Sequence, residues 1–576
     1  MSHAERRTGG RAKAVCAPQA PAKSRQLFLL VLAPLALLAA SCSSADNYNS
    51  DMIARKAGQP VESTNANSSN ANAGVASNMS ADTDGAGQLA EARPQEDEAA
   101  RGESYAKIEE NPFLEAARAP LSTFSIDVDT ASYSNTRRFL NEGRLPPKDA
   151  VRIEELVNYF SYDYPQPAGS APFSVSTEVA DCPWNARHRL VHIGLQGKKV
   201  STEKMPPANL VFLIDVSGSM DEPRKLPLVK ASLRTLAEQL TARDRVAIVV
   251  YAGTSGLVLP STPGDRKGEI ISAIERLEAG GSTNGGQGIQ LAYRVARENF
   301  IRGGTNRVIL STDGDFNVGL TGDDALVRLI EQERQDGIFL SVLGVGEGNL
   351  NDSMMEKLAD KGNGNYAYID TESEARKALG EQVGGTLMTI AKDVKIQVEF
   401  NPRLVAGYRL IGYENRLLAE RDFNDDRKDA GEIGAGHTVT ALYEIVPAGQ
   451  KVENPGVDSL KYQQPAEGQQ GASAGELLTI KLRYKEPGGG ASKLLSVGVV
   501  DGGASFGNAS ENFKFAAAVA EFGMLLRDSR YKGQASYDGA LRLARASAGP
   551  DLRGYRKEFV GLVERARSLS ESSSGR

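Results

Sequence analysis

The sequence predicts an α/β protein: a doubly wound parallel sheet flanked by a small α+β region and a β-rich region with a helical cap. Short, almost wholly apolar runs alternate with segments of helical spacing in the central section, as is typical of parallel strands buried on both faces. The section after it alternates apolar and polar residues with a period of two, as antiparallel strands do. A chain of 576 residues is long enough for several such units.

The first 41 residues predict a signal peptide. A basic stretch precedes the apolar run 27–40, which is too short for a permanent membrane helix. The run ends in small residues before Cys42, a pattern that resembles the lipobox of bacterial lipoproteins. This resemblance implies a lipidated Cys42, an anchor in the bacterial cell envelope and, because Ser43 rather than Asp follows, the outer membrane. The alternative is an ordinary secretory signal with a chance cysteine.

Residues 42–104 predict a flexible tether. The segment consists mainly of Asn, Ser, Ala, Gly, Asp and Glu and has almost no large apolar side chains. Such a composition cannot bury enough surface to offset the entropy lost on ordering.

The cysteine count predicts no internal disulfide. Cys16 would leave with the signal and Cys42 would carry lipid, so Cys182 would be the remaining thiol. We expect Cys182 to be packed and inert rather than a nucleophile, because no histidine pattern accompanies it.

The α+β region covers residues 111–200, where the spacing predicts a strand, two helices and two further strands: 122–128, 132–141, 152–159, 173–179 and 189–195.

The central domain covers residues 209–380, with buried-strand runs at 210–214, 246–250, 308–311 and 338–343. Between and after them, helical spacing occurs at 226–240, 268–277, 286–299, 324–335 and 353–359. This order of elements predicts the doubly wound sheet.

The last region covers residues 385–570 and begins with period-two strands at 394–400, 405–413, 439–446, 477–484 and 493–500. Residues 510–569 then have helical spacing and predict the cap.

Oxygen-bearing side chains follow the strand ends of the central domain. Asp215, Ser217 and Ser219 come directly after the first strand, where open α/β sheets place ligands. Thr283 lies in a Gly-rich loop, and Asp313 follows the strand 308–311. A ligand set of oxygens alone suits a hard cation, Mg²⁺ foremost, with Ca²⁺ or Mn²⁺ possible.

These five positions resemble the metal-ion-dependent adhesion site of von Willebrand factor type A domains without a substitution. The resemblance implies that Ser217 and Ser219 ligate directly, that Thr283 ligates in the ligand-competent state, and that Asp215 and Asp313 act mainly through water. It also implies that a carboxylate from a protein partner completes the coordination. The flanks, including 122–164 and residues from about 385 onward, resemble regions that accompany this domain in uncharacterised bacterial envelope proteins.

Two further clusters suggest weaker hypotheses. Asp127, Asp129, Thr130 and Ser132 could form a second metal loop, but capping of the helix that begins near Ser132 is favoured. The remaining candidates, His188, His192 and His437, lack a companion ligand, so a zinc site is not expected.

Composition and motifs favour a binding protein over an enzyme. The 67 basic and 73 acidic residues nearly balance, which does not indicate a nucleic-acid binder. No Ser/His/Asp set, P-loop or HExxH motif is present, and no small-molecule substrate is expected. The sequence therefore predicts a lipid-anchored module that binds a protein partner presenting an acidic residue. The alternatives are a scaffold or assembly factor with a merely structural metal and, less favoured, a metal-dependent hydrolase.

Overall fold

The computed structural model describes residues 102–282, 285–314, 322–452 and 475–574. The predicted signal peptide, Cys42, the tether up to residue 101 and Thr283 lie outside the described residues. None of the helices in these ranges combines the length and the apolar character needed to cross a membrane.

Sixteen strands are described. In chain order they are β1 Leu114–Glu115, β2 Leu121–Ser125, β3 Phe173–Cys182, β4 Asn185–Gly197, β5 Ala208–Asp215, β6 Arg245–Tyr251, β7 Ser255–Pro263, β8 Thr305–Thr312, β9 Ile338–Val345, β10 Tyr366–Ile369, β11 Thr389–Phe400, β12 Val405–Ile411, β13 Gly431–Gly434, β14 Thr438–Pro447, β15 Glu476–Lys485 and β16 Lys493–Val500.

The described α-helices are α1 Ala131–Asn141, α2 Ile153–Asn158, α3 Leu226–Gln239, α4 Lys267–Glu275, α5 Gly285–Glu298, α6 Gly322–Gln335, α7 Asp352–Lys361, α8 Glu372–Arg376, α9 Val383–Leu387, α10 Glu511–Leu526, α11 Tyr537–Ala546 and α12 Tyr555–Ser574. A π-helical turn, Lys377–Glu381, joins α8 to the segment before α9.

The central domain is the predicted doubly wound α/β unit. Its sheet has the strand order β10-β9-β8-β5-β6-β7, and every pairing is parallel except that of β7 with β6. Residues of α3, α4 and α8 share a buried apolar cluster on one face, and residues of α5, α6 and α7 share one on the other. All eight residues of β5 are buried, because both faces of this central strand are covered.

The two edge strands of this sheet were not predicted. In β7 buried and exposed positions are mixed, and β10 has only four residues, so neither forms the continuous apolar run of a buried parallel strand.

The two flanking regions share their sheets. β3 and β4 pair with each other, β4 continues onto β14, and the sheet order is β1-β12-β14-β4-β3. The second sheet has the order β13-β11-β15-β16, with β2 also paired to β11. One apolar cluster, which includes Phe124, Ile193, Val398 and Tyr443, contains residues from both sheets. The segments before and after the central domain therefore build one β unit with a common core.

The helical cap packs on helices from the N-terminal flank. α10 begins at the cap residue Ser510, whose Oγ accepts a hydrogen bond from the backbone N–H of Phe513 at 3.1 Å. Residues of α10, α11 and α12 share one buried cluster with α1, α2 and Trp184. Cys182 belongs to this cluster and is 2 % exposed, and burial raises the pKa of its thiol. The structure agrees with the packed, inert cysteine that the sequence favours.

Candidate metal centre

Two neighbouring parallel strands bring the predicted acidic residues together. β5 and β8 pair in register from Ala208↔Thr305 to Ile214↔Ser311. Asp215 is the last residue of β5, and Asp313 directly follows β8. Because parallel strands end at the same edge of the sheet, both carboxylates lie at one place, and both side chains are buried.

Hydrogen bonds from three residues, Ser217, Tyr251 and Thr312, fix the Asp215 carboxylate. Its Oδ1 accepts from the backbone N–H of Ser217 at 2.9 Å. Its Oδ2 accepts from the Tyr251 hydroxyl at 3.1 Å and from the Thr312 hydroxyl at 3.3 Å. Tyr251 and Thr312 were not among the predicted site residues. Their apolar surroundings in the sequence identify them as strand residues and give no sign of this contact.

The two serines of the turn after β5 contact each other and the two aspartates. Ser217 Oγ and Ser219 Oγ are 3.1 Å apart, and Ser219 also hydrogen-bonds to Asp313. The backbone N–H of Gly218 donates to the carbonyl of Gly281 at 3.0 Å. The turn therefore packs directly on the loop that leads to Thr283, although Thr283 itself lies outside the described residues.

A lysine also contacts the Asp313 carboxylate. Lys225 lies immediately before α3, and its Nζ is 3.1 Å from Asp313 Oδ2 and 3.4 Å from Glu222 Oε1. Asn349 also hydrogen-bonds to Asp313. Sequence analysis named neither residue. A lysine at the first turn of an apolar helix could have drawn attention to Lys225, whereas nothing in the sequence marks Asn349.

The two carboxylates differ in acidity. Burial raises the pKa of Asp215 to about 6, and the charge of Asp313 adds to the rise, while hydrogen bonds from Ser217 and Tyr251 oppose it. Burial also acts to raise the pKa of Asp313. Hydrogen bonds from Asn349 and Ser219 and the charge of Lys225 outweigh that effect and hold the pKa below its usual range. Asp313 is thus the more strongly ionised of the two.

The described donors fit a hard divalent cation. Four of the five predicted ligands, Asp215, Ser217, Ser219 and Asp313, gather around one point through carboxylate and hydroxyl oxygens. No nitrogen or sulfur ligand is among them, which suits Mg²⁺ and similar ions. Gly314, with φ +104°, lets the chain after Asp313 pass close to the next loop, where an added Cβ would lie 2.6 Å from the backbone nitrogen of Asn351.

The described chain begins beside this centre. The backbone N–H of Ser104 donates to the carbonyl of Leu350 at 2.9 Å, and Ser104 forms a parallel bridge with Asn351. The Glu103 carboxylate accepts from the backbone N–H of Gly348 at 3.0 Å. The loop 346–351 therefore contacts Asp313 through Asn349 and the N-terminal segment through its backbone.

The hypothesis of helix capping by the Asp127 loop is wrong. Thr130, at the cap position of α1, makes no capping hydrogen bond, and the free N–H of Ser132 donates instead to Glu155 Oε2 at 2.8 Å. The guanidinium of Arg416 lies 3.3 Å from Asp127 Oδ2 and 3.1 Å from Asp129 Oδ2. The two aspartates thus bind an arginine from the C-terminal flank, in the place where a second metal was considered.

The three candidate histidines lie at separate places. His188 Nδ1 is 2.6 Å from Glu444 Oε1, and His192 Nε2 is 2.8 Å from the hydroxyl of Tyr164. His437 lines a different cavity, near Lys377.

Another acidic group lies away from the predicted site. Carboxylate oxygens of Asp393, Asp429 and Glu432 lie within 4.8 Å of one another. Lys485 Nζ is 2.6 Å from Asp393, and Arg334 pairs with Asp429. Since basic side chains already pair with two of these three acids, and burial raises the pKa of Glu432 well above its usual range, we assign no metal to the group.

Three protein-family descriptions match parts of this chain. The von Willebrand factor type A domain family matches residues 209–382, the family described as von Willebrand factor matches residues 99–192, and the family described as "Uncharacterized protein YfbK, C-terminal" matches residues 385–569.

Among curated proteins, the uncharacterised protein YfbK of Escherichia coli (strain K12) is 45 % identical over 476 residues, which are 81 % of this chain and 82 % of that protein. Human inter-alpha-trypsin inhibitor heavy chain H3 is 25 % identical over 261 residues, 42 % of this chain and 28 % of that one. Among solved structures, the von Willebrand factor type A protein from Catenulispora acidiphila aligns with 68 % of this chain and 91 % of its own, at 17 % identity and a TM-score of 0.38.

Proposed function

Because this chain belongs to the family of von Willebrand factor type A proteins that includes YfbK, we propose that it binds a protein partner through a divalent cation. The observation that carries the proposal is the convergence of Asp215, Ser217, Ser219 and Asp313 at the ends of β5 and β8. Thr283 would complete the set. Mg²⁺ is the favoured cation, with Ca²⁺ or Mn²⁺ as alternatives.

The donor set suits the capture of a carboxylate. The two serine hydroxyls are neutral, so the ligands leave a divalent ion short of negative charge. When bound, the cation supplies a Lewis-acidic position that a carboxylate of the partner can fill. The protein's own part is to hold the oxygens in place, which the hydrogen bonds from Tyr251 and Thr312 to Asp215 support.

The experiment compares Asp215→Asn and Asp215→Ala with the wild-type protein by calorimetric titration of Mg²⁺ and Mn²⁺. Asparagine keeps the size of the side chain and an acceptor for the backbone N–H of Ser217, and its amide group can donate to the Tyr251 hydroxyl, so it tests the charge with little loss of packing. We expect both variants to lose measurable cation binding. Asp265→Asn, which removes an exposed acid elsewhere in the same domain, is the matched control and should bind normally.

Partner capture from an envelope extract, with and without chelator, accompanies the titrations. Capture that disappears with chelator and in Asp215→Asn would support binding through the cation. Cation binding by Asp215→Asn at wild-type affinity would refute the site. Lost cation binding with intact capture would favour the scaffold alternative, in which the metal is only structural. Cation-dependent turnover by the purified protein would instead support a hydrolase.

The proposal includes a lipid anchor at Cys42 in the bacterial outer membrane, supported by the small residues before that cysteine. Cys42→Ala should accumulate a slower-migrating precursor or move the protein from the detergent extract to the soluble fraction. Mass spectrometry of the wild-type N-terminus is the direct measurement. An unmodified Cys42 in the mature protein would exclude the anchor.

A further inference from the structure

A buried positive charge stands beside the carboxylates of the proposed cation site. The Lys225 side chain is 4 % exposed, and its ammonium group lies 3.1 Å from Asp313 Oδ2. Its other acidic contact, Glu222, has a side chain that is 52 % exposed and therefore largely screened by water. The charge of Lys225 is directed chiefly at Asp313.

The fold makes room for this lysine. Gly346 has φ +78°, and a Cβ added there would lie 2.4 Å from Cε and 2.7 Å from Cγ of Lys225. Only a glycine allows the loop 346–351 to pass this close to the methylene chain. The backbone of Lys225 is fixed as well, because its carbonyl accepts the N–H of Val229 in α3. The close packing of Gly346 on the methylene chain and the ion pair with Asp313 hold the ammonium group in place.

This arrangement reduces the negative charge available to a cation. Two ionised carboxylates, Asp215 and Asp313, would match the charge of a divalent ion. Together with the ammonium of Lys225, these three buried side chains carry one net negative charge, and a divalent ion leaves one positive charge unmatched. In a buried site, where screening is weak, such an excess opposes binding until an anion joins.

We propose that Lys225 is a fixed internal cation that makes divalent-ion binding depend on a carboxylate from outside the chain. The site then holds its ion weakly when the partner is absent and firmly when a carboxylate arrives. Lys225 is a positioning and charge-setting residue, since it acts on the ion through Asp313. The inference rests on the proposed function, because it concerns the same cation site.

The test is the affinity for Mn²⁺ in the full chain, measured by calorimetry with and without added acetate as the carboxylate probe. In Lys225→Met and Lys225→Gln, the positive charge is lost while most of the side-chain volume stays. We expect these variants to bind Mn²⁺ at least about tenfold more tightly than wild type in the absence of acetate. We also expect acetate to strengthen binding in wild type by a larger factor than in the variants.

Arg224→Met is the matched control, because it removes a positive charge from the neighbouring position. The Arg224 side chain is 57 % exposed and pairs with Glu142 and Glu347, so its loss should change the Mn²⁺ affinity by less than about twofold. Thermal unfolding of each variant shows whether it is folded at the titration temperature. Two substitutions at Lys225 are used so that the test remains possible if one variant does not fold.

If Lys225 only positioned Asp313, its replacement would change the Mn²⁺ affinity in the opposite direction. In that case its removal would weaken cation binding, and an affinity in folded Lys225→Met and Lys225→Gln no higher than in wild type would overturn the inference. Equal strengthening by acetate in wild type and variants would overturn it too. Failure of the proposed function is distinguishable, because it would appear as wild-type Mn²⁺ binding in Asp215→Asn.

Discussion

Replacement of Arg137 by methionine should destabilise the protein strongly. This arginine of α1 is 2 % exposed, and its Nε donates to Asp370 Oδ2 at 2.7 Å. Its Nη2 donates to Glu374 Oε2 at 2.7 Å, and its Nη1 donates to Glu558 Oε2 at 3.1 Å. One side chain thus links the N-terminal flank to the end of the central domain and to the last helix of the cap.

The magnitude follows from what the substitution leaves behind. Asp370 and Glu374 have side chains that are only 5 % and 1 % exposed, so both would lose their main hydrogen-bonded cation without gaining water. Breaking a buried ion pair on one side costs about 3–5 kcal/mol. Glu558 is 39 % exposed and adds little. Lys377 lowers the pKa of Glu374 and partly compensates, so we expect a loss of about 3 kcal/mol.

Equilibrium urea unfolding followed by fluorescence measures this loss. The single tryptophan, Trp184, is buried in the same cluster as Tyr159, which also hydrogen-bonds to Arg137. Arg545→Met, which breaks an exposed pair with Glu564, is the control and should cost less than about 1 kcal/mol. Adding Asp370→Asn and Glu374→Gln to the Arg137 variant should recover part of the stability. A loss below about 1 kcal/mol for Arg137→Met would refute the reasoning.

Three further predictions concern acidity, thiol access and the chain terminus. Burial lowers the pKa of His192 to about 4, so the unfolded state takes up a proton first as the pH falls. The buried, neutral His192 thus contributes fully to the free energy of unfolding above about pH 6.5. This contribution, on the order of 3 kcal/mol, is lost as the pH falls toward 4. Urea unfolding should show a smaller pH dependence in His192→Gln over this window, and an unchanged dependence would contradict the assignment. Cys182 should resist a thiol reagent in the native protein and react in urea, whereas fast native labelling would mean that it is accessible. Limited proteolysis should leave a core that starts between residues 100 and 111, and a protected fragment within 42–104 would argue against a tether.

The fold of the central domain was predictable because its signals are local. β5, β6, β8 and β9 appear in the sequence as apolar runs, and α3 and α5 have helical spacing within one or two residues of their observed ends. The same runs placed Asp215 and Asp313 at strand ends, so most of the candidate site followed from strand order alone.

Long-range pairing was not predictable. β4 pairs with β14 from Arg189↔Ile445 to Gln196↔Thr438, across the whole central domain. A period-two pattern shows that a strand exists, and it does not identify its neighbour. The contacts of Arg416 with Asp127 and Asp129 have the same origin, because the three residues meet only after the two flanks share their sheets.

The attachment of Ser104 to the loop 346–351 has a mechanical consequence. A pulling force applied to the chain before Gly102 enters the folded unit at this loop, through the hydrogen bonds of Glu103 and Ser104, and at α1, where Arg138 donates to Glu103 Oε2 at 2.8 Å. The same loop touches Asp313 through Asn349. Tension between that end of the chain and a partner held at Asp313 would therefore cross only a few residues.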